Sequence, residues 1–434
     1  MEFQKRPRLT PNEIRLLSLI GFVAVIVVSV LIGVNIGLSR SVQGGGEFYS
    51  AWNGARMFLF NHVDPYNLNV ALQSQQLTYG HAASDGQNPY YLTVPFFLLP
   101  IYFPFALISD SLPVLFPSKF VVDPSVVRGL WLILNEGALL ATVFLIVRLI
   151  EWSPHRFFLV AFFLLSIFSY YSVSALVEGT PAILLCLLYF GILYALQTQQ
   201  DELAGALMVL AFFRWEVGLL FLTLVIWRVY SEKRFGVFRG FGMLVIVLLI
   251  VSFLTNPGWV IPFLQSSLTD LRSNYGFTSS AILLRLWPTF NAHFIWIIPA
   301  SLILLLGLEW YASRGRDFHH FIWTCCLTLA ITPLIGFRTD LSNLVVLFPS
   351  LALIFATVVE RWRHGYWLDG LLYLIVLFLP WGFFIRSVIF QSQFYQDLLS
   401  VFFPIFIVAG LYWTRWWFIH PPRTWLDYVR SSRS

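Results

Sequence analysis

Hydrophobic residues occur in long blocks along this chain, and short polar segments separate the blocks. The blocks lack charge over roughly 17 to 25 residues, about the length that an α-helix needs to cross the hydrocarbon core of a bilayer. The pattern predicts an all-α polytopic membrane protein, one integral membrane domain over residues 1–434, with about twelve crossings and bounds of about 11 and 13. The predicted crossings cover residues 16–38, 91–108, 129–147, 157–176, 181–196, 203–227, 241–254, 294–308, 321–336, 341–358, 367–385 and 401–417.

Composition supports this fold class. Of the 434 residues, 58% are hydrophobic and 11% are charged, whereas about 25% are charged in an ordinary soluble domain. A water-soluble fold of this length could not cover its surface with so few charges. The three cysteines fall inside apolar blocks, where thiols behave as small hydrophobic groups, and their spacing predicts neither a disulfide framework nor a metal site.

The basic residues predict the orientation of the chain in the cell membrane. The first block is too long for a signal-peptide core, so we expect it to remain as a signal anchor. The charges before it are mostly basic: Lys5, Arg6, Arg8 and Arg15 against Glu2 and Glu13. A basic flank stays on the cytoplasmic side. Further basic segments lie at 228–239, 314–320, 361–364 and 415–433. These positions predict cytoplasmic N- and C-termini, and they assign the net charge of +5 to orientation rather than to nucleic-acid binding.

One basic segment conflicts with a strict count of twelve crossings. Arg148, His155 and Arg156 would then lie outside. The conflict disappears if block 203–227 is two short helices that meet at Arg214 and if residues 95–117, with five prolines, form a broken pair. The sequence leaves both possibilities open.

Two segments outside the blocks are too long to be simple turns. They cover residues 39–89 and 256–293, and both fall on the outer side in the twelve-crossing count. We expect them to meet over the helix bundle, and long loops in compact proteins are often functional. The first should contain short helices and the catalytic residue. No convincing internal repeat is present, which weakens the case for a transporter built from duplicated halves.

The first outer segment begins with three glycines and an acid. Gly44, Gly45 and Gly46 allow backbone conformations that other residues resist, and they place Glu47 at the start of a predicted short helix, where the helix dipole favours a carboxylate. Tyr49, Trp52 and Arg56 follow at positions that share one helix face. Two aromatic rings and a guanidinium suit a sugar or a phosphate. The alternative is an interfacial amphipathic helix with an aromatic belt.

Several charged residues lie in or beside apolar sequence. Each would cost about 2.5 to 3.5 kcal/mol near the bilayer centre, so such residues usually face a polar cavity or each other. They are Glu178, Arg214, Glu216, Arg285, Arg338 and Asp340. For Arg214 and Glu216 the alternative to a ligand-binding role is a local ion pair at a helix break.

Residues 47–66 combine an acid, several aromatic residues, Ala55-Arg56 and Asp64-Pro65-Tyr66. This string resembles the first loop of the polyprenol-phosphate-sugar-dependent glycosyltransferases of family 87 in the GT-C superfamily, which include bacterial mannosyltransferases. Further strings agree in order, so that the likeness covers most of the first 290 residues. They are Asn88-Pro89-Tyr90-Tyr91 with Pro95 and Pro100, Glu178-Gly179-Thr180 where the family usually has Gly-Gln, and Leu203-Ala204-Gly205 followed by Phe213-Arg214.

The chain also departs from the family pattern. Glu47 stands where the family has an aspartate, which lengthens the base by one methylene and keeps its chemistry. Arg214 stands where the family has a lysine. The family's histidine-containing string after Pro333 is replaced by residues 337–341, Phe-Arg-Thr-Asp-Leu, so no histidine role is carried over.

The resemblance implies a GT-C-like bundle and an active site on the outer side of the membrane. It implies transfer of a hexose or pentose, with mannose favoured, from a polyprenyl-phosphate donor to a lipid-linked or glycan acceptor with inversion. Glu47 would be the general base. The donor phosphate would bind one or more of Arg56, Arg214, Arg285 and Arg338, which offset its growing charge. The sugar or acceptor would contact Tyr49, Trp52, Asp64, Tyr66, Tyr90, Glu178 and Asp340.

We expect no cofactor other than the donor substrate itself. The first outer segment has no Asp-x-Asp metal motif, although a divalent ion held by Glu47 and Asp64 stays an alternative. Membrane lipid, the polyprenyl-phosphate sugar and the acceptor are the expected partners, and nucleic acid is not expected. Two other functions stay open: a transporter or flippase for a lipid or amphipathic solute, and a membrane polymerase or ligase that moves an undecaprenyl-linked glycan.

Overall fold

The computed structural model describes residues 11–115, 122–273, 277–286, 295–337, 339–362 and 365–419. These residues form eighteen α-helices with a single isolated bridge between Phe277 and Thr339, which agrees with the predicted all-α class. Short 3-10 helices cover Phe96–Tyr102, Ala211–Phe213 and Leu341–Leu347. The α-helices are α1 Pro11–Ser41, α2 Gly46–Asn61, α3 Leu68–Tyr79, α4 Phe103–Leu115, α5 Pro124–Leu149, α6 Arg156–Phe168, α7 Tyr170–Glu178, α8 Ala182–Gln197, α9 Asp201–Leu210, α10 Trp215–Ser231, α11 Phe235–Thr255, α12 Val260–Arg272, α13 Ser279–Leu286, α14 Ile297–Ser313, α15 Phe318–Ile335, α16 Phe348–Arg361, α17 Gly365–Phe390 and α18 Gln393–Ile419.

The helices fit a multi-pass membrane protein. Six helical segments of the described chain are long and apolar enough to cross a bilayer, or up to eight if each of two bent pairs counts as one crossing. The twelve predicted crossings are therefore not confirmed. Every predicted block overlaps a helix, but several of these helices, such as Ala182–Gln197 and Ile297–Ser313, are shorter than an ordinary span.

Block 203–227 divides at Arg214, as one of the two sequence alternatives requires. Helix α9 ends at Leu210, a 3-10 turn follows, and Arg214 is extended with φ of −137° before α10 begins. Arg234, just beyond α10, donates to Asp201 at the start of α9, with 3.0 Å between the Arg234 Nε and Asp201 Oδ1 atoms. The two helices therefore form a hairpin with Arg214 at its apex.

Close backbone contact holds α9 of this hairpin against α11. A Cβ atom on Gly205 would lie 2.0 Å from the carbonyl oxygen of Val237, and one on Gly240 would lie 2.0 Å from that of Glu202. Glycine is needed at both positions because the two backbones touch, as small residues allow at helix interfaces in membranes.

The described parts of the later basic segments gather at one end of the bundle, which we call the basic end. Gln197 donates to the carbonyl oxygen of Leu149 at 3.2 Å, and Arg234 donates to that of Leu196 at 2.9 Å. Further contacts join the ends of α10, α14, α16 and α18 there: Arg228 to the Ser313 and Arg316 carbonyls, Arg415 to Glu309, and Trp362 to Trp413. Residues 148–156 thus share an end with the later basic segments, which removes the conflict found in the sequence. The side of the membrane that this end faces stays a prediction.

The opposite end, which we call the loop end, carries α2 and α3. An aromatic cluster supports α2 there, since Phe48 stacks on Trp131 with 5.4 Å between ring centroids and Tyr102 stacks on the same indole at 5.0 Å. The Trp131 Nε1 atom donates to the carbonyl oxygen of Gly179 at 2.9 Å. The cluster therefore fixes the start of α2 beside the end of α7.

Candidate functional site

The backbone turn before Glu47 depends on glycine, as predicted. Gly44 and Gly45 have φ values of 145° and 80°, a region that L residues rarely adopt. A Cβ atom on Gly45 would lie 2.6 Å from the Nε atom of Arg128. Arg128 is buried and donates to the carbonyl oxygens of Ser39, Val42 and Val177 at 3.2, 2.8 and 2.8 Å. This arginine joins three segments at the loop end. It escaped the sequence analysis because an arginine just before an apolar block is typical of a span boundary.

Glu47 lies in the first turn of α2 and is 8% exposed. Its Oε1 atom forms an ion pair with Arg214. Its Oε2 atom is buried and has no hydrogen-bond partner among the described residues. Arg214 thus holds one carboxylate oxygen in place, while the other oxygen makes no hydrogen bond within the described part of the chain.

Arg214 binds more than one carboxylate. Its side chain is 12% exposed, and it lies 3.3 Å from a Glu216 oxygen and 3.8 Å from an Asp340 oxygen in addition to its pair with Glu47. The local pair with Glu216 at a helix break was the alternative to a ligand-binding role. The observed geometry combines that pair with a contact to Glu47, 167 positions earlier in the chain.

A cavity of about 530 Å³ opens at the loop end beside Glu47. Five of the predicted site residues line it, namely Glu47, Tyr90, Glu178, Arg285 and Asp340. A smaller recess of about 30 Å³ shares Glu47 and Tyr90 with this main cavity and is lined also by Arg214, Glu216 and Asp270. The cavity is large enough for part of a small ligand and combines polar groups with aromatic rings, as binding sites do.

One wall of the main cavity consists of a tyrosine and a partly buried acid. The Tyr90 hydroxyl donates to the Oε2 atom of Glu178 at 2.9 Å, and Tyr79 stacks on Tyr90 with 5.5 Å between centroids. Burial, followed by the nearby Glu178 carboxylate, raises the pKa of Tyr90 well above its usual value, so this phenol stays protonated. A Cβ atom on Gly46 would lie 2.0 Å from the Tyr90 ring. Tyr90 can therefore take this position only because residue 46 is glycine.

The opposite wall contains an arginine held by a buried aspartate. Arg285 donates from Nε and Nη2 to the two carboxylate oxygens of Asp397 at 2.8 and 2.6 Å. The Asp397 side chain is 3% exposed and the Arg285 side chain 45%. This bidentate geometry orients the guanidinium and leaves its Nη1 donors for other partners. Sequence analysis missed Asp397, because an acid four residues before a predicted crossing is typical of a helix start.

Three predicted residues of α2, Tyr49, Trp52 and Arg56, do not line the main cavity. The Tyr49 and Trp52 rings are buried, and the Trp52 indole donates to the carbonyl oxygen of Phe105 at 3.2 Å. The face that they share therefore points into the protein, because α2 packs against α4. Arg56, one turn further, forms a bidentate pair with Asp110 at 2.7 and 2.9 Å.

The remaining predicted residues have other surroundings. Asp64 accepts a hydrogen bond from the backbone N–H of Tyr66 at 3.0 Å, which is a local turn. The Tyr66 hydroxyl donates to the carbonyl oxygen of Val94 at 2.8 Å. Neither residue lines the main cavity. Arg338 lies outside the described residues.

The metal alternative required Glu47 and Asp64 together. Within the described ranges, no group of three or more His, Cys, Asp or Glu side chains has a geometry suited to a metal ion. Glu47 pairs with Arg214, whereas Asp64 closes its own turn. These two carboxylates therefore serve separate local roles.

Comparison with known proteins gave no family model, curated protein or solved structure that matches the chain. The resemblance to family 87 therefore depends on the sequence strings alone.

Proposed function

We propose that this protein is a membrane glycosyltransferase that moves a sugar, with mannose favoured, from a polyprenyl-phosphate donor to a lipid-linked or glycan acceptor. The observation that carries the proposal is the state of Glu47. One carboxylate oxygen is paired with Arg214, the other has no partner among the described residues, and the side chain lines the main cavity. A cavity-lining carboxylate with one oxygen held by a cation and one oxygen without a partner suits a general base.

The proposed reaction is a single inverting displacement. The acceptor hydroxyl oxygen forms a bond to the anomeric carbon and loses its proton to the free oxygen of Glu47. The bond between the anomeric carbon and the phosphate oxygen breaks, and its electron pair leaves with the polyprenyl phosphate. A positioned base contributes about 10² to 10⁴ in rate, and a cation near the leaving oxygen lowers the barrier further.

The two arginines would have different roles in this reaction. Arg214 already has three carboxylates within 4 Å, so a phosphate would meet repulsion there. Arg285 has one carboxylate partner and a half-exposed side chain on the main cavity. We therefore assign the donor phosphate to Arg285, and we assign to Arg214 the task of holding Glu47 in place.

The test is sugar transfer by purified protein in lipid nanodiscs, given radiolabelled polyprenyl-phosphate mannose and a lipid extract. We expect Glu47→Gln to lose about 10² to 10⁴ in rate while the protein stays folded. Glu136→Gln is the matched control, because the Glu136 carboxylate accepts a hydrogen bond from the Asn35 amide at 3.0 Å and does not line the main cavity. Normal transfer by Glu47→Gln excludes the proposed base. Movement of the labelled lipid across vesicles without transfer would favour the transporter.

The proposal also requires the loop end on the outer side, with both termini in the cytoplasm. The three native cysteines are buried, so a new surface cysteine can be labelled selectively. We expect an impermeant maleimide to label Asp85→Cys in intact cells and Lys233→Cys only after permeabilisation. The reverse pattern would put Glu47 at the cytoplasmic side and exclude an outer active site.

A further inference from the structure

Helix α12 lies at the loop end and packs one side against the site. Phe263 contacts Tyr66 with 5.8 Å between ring centroids, and the Ser266 hydroxyl donates to the carbonyl oxygen of Leu92 at 2.8 Å. Asp270 is buried and lines the recess. The side of α12 that faces the protein is thus fixed by contacts along most of its length.

The exposed surface of α12 divides into two stripes. Ile261, Leu264, Leu268 and Leu271 are 48 to 67% exposed and share one stripe. A second exposed stripe holds Gln265, Thr269 and Arg272. At 100° per residue, the centres of the two stripes lie about 90° apart around the helix. The helix therefore has three sides, which are protein-facing, apolar and polar.

A bilayer surface fits these three sides. With 13 residues, α12 is about 20 Å long, too short to cross a hydrocarbon core of about 30 Å. A helix that exposes an apolar stripe next to a polar one is typical of the lipid–water boundary. The apolar stripe also follows, across one turn, the exposed apolar end of α11, where Val251, Phe253 and Leu254 are 45 to 78% exposed.

We propose that α12 lies in the plane of the membrane at the lipid–water boundary, with its leucine stripe among acyl chains and its polar stripe at the headgroups. Bilayer lipid is thus its partner. Since Asp270 on the same helix lines the recess, the contact sets the depth of the site at headgroup level. This inference depends on the membrane fold and not on the proposed function.

Two adjacent positions test the orientation. Leu268→Cys and Thr269→Cys, each labelled with the fluorophore NBD, are compared in nanodiscs. We expect the probe at 268 to lose most of its fluorescence to spin-labelled lipid and little to aqueous iodide. The probe at 269 should do the opposite. Leu304→Cys on α14, 66% exposed, is the lipid-facing control, and Asp85→Cys is the water-facing one.

Three results would overturn the inference. Iodide quenching of both probes would mean that the leucine stripe faces water. Lipid quenching of both would mean that α12 is immersed. Protection of position 268 from both quenchers would mean that another protein surface covers the stripe. None of these readouts uses sugar transfer, so a failure here is separate from a failure of the proposed activity.

Discussion

The two arginines near Glu47 differ in their surroundings more than in their positions. Arg214 is 12% exposed and lies within 4 Å of Glu47, Glu216 and Asp340. Arg285 is 45% exposed and pairs with Asp397 in a bidentate geometry. Among the described residues, three carboxylates lie within 4 Å of Arg214, whereas Arg285 pairs with one carboxylate.

This difference indicates what each cation can do. A guanidinium shared among several buried acids mainly offsets their repulsion, and removing it leaves uncompensated charges in a poorly hydrated place. A guanidinium with one partner and an exposed edge can bind a further anion with its remaining donors. An arginine residue alone does not identify an anion-binding site, because the number of acidic side chains around it determines whether it can bind a further anion.

The largest expected effect follows from removing the crowded cation. Arg214→Gln should lower the free energy of unfolding by about 3 to 5 kcal/mol, since Glu47, Glu216 and Asp340 each lose a cation within 4 Å. Arg214→Lys should recover part of that loss. Unfolding of the detergent-purified protein in sodium dodecyl sulfate measures both. If Arg214→Gln were as stable as the parent protein, the three acids would already be neutral. The contrast between Arg214 and Arg285 would then not hold.

The second prediction removes the charge of Arg285 without leaving Asp397 as an unpaired buried carboxylate. In the double variant Arg285→Gln/Asp397→Asn, a neutral pair replaces the ion pair, so the unfolding midpoint should stay close to that of the parent. Affinity for decaprenyl phosphate should fall roughly 10- to 100-fold, because charge-assisted hydrogen bonds are lost. Binding to nanodisc-embedded protein is the measurement. Unchanged affinity for decaprenyl phosphate in a folded double variant would mean that Arg285 does not bind the donor phosphate.

Gly46→Ala disturbs the Glu47 side of the main cavity only. The added methyl group would overlap the Tyr90 ring, so we expect a loss of about 1 to 3 kcal/mol in the free energy of unfolding. Gly37→Ala is the control, because nothing lies within 4 Å of a Cβ atom there. Equal behaviour of the two variants in thermal unfolding would contradict the close contact between Gly46 and Tyr90.

The smallest effect is expected at an exposed pair. Arg40 lies 3.4 Å from Asp123, and their side chains are 58% and 49% exposed. Arg40→Gln should change the free energy of unfolding by less than about 1 kcal/mol, because water and ions screen such pairs. A loss as large as that of Arg214→Gln would show that exposure does not separate the two classes of arginine.

Local features of the site could be predicted from the sequence, and its long-range pairing could not. The glycines before Glu47 and the helix break at Arg214 follow from residue types and charge. The partner of Arg285 lies 112 positions away, at Asp397, and no local pattern encodes that distance. A helical wheel also shows that Tyr49 and Trp52 share a face, but it does not show that the face points inward.

The same limit applies to the fold. Apolar blocks predicted where helices lie, and all of them overlap helices, whereas the number of full crossings depends on how blocks bend and divide. The 98° bend after the first block lies at the turn that contains Gly44 and Gly45, and the 45° bend between α6 and α7 lies at Ser169. The sequence therefore predicts the polytopic helical class correctly, whereas the predicted number of twelve crossings is not confirmed.

The glycine contact between α9 and α11 has a consequence for Glu47. Main-chain atoms are in contact at Gly205 and Gly240. Rigid backbone, rather than adjustable side chains, therefore sets the position of α9 along α11. Any larger residue at either glycine would push α9 outward as a unit and carry its apex with it. The distance between Arg214 and the Glu47 carboxylate is thus set by a rigid backbone contact that lies far from the ion pair itself.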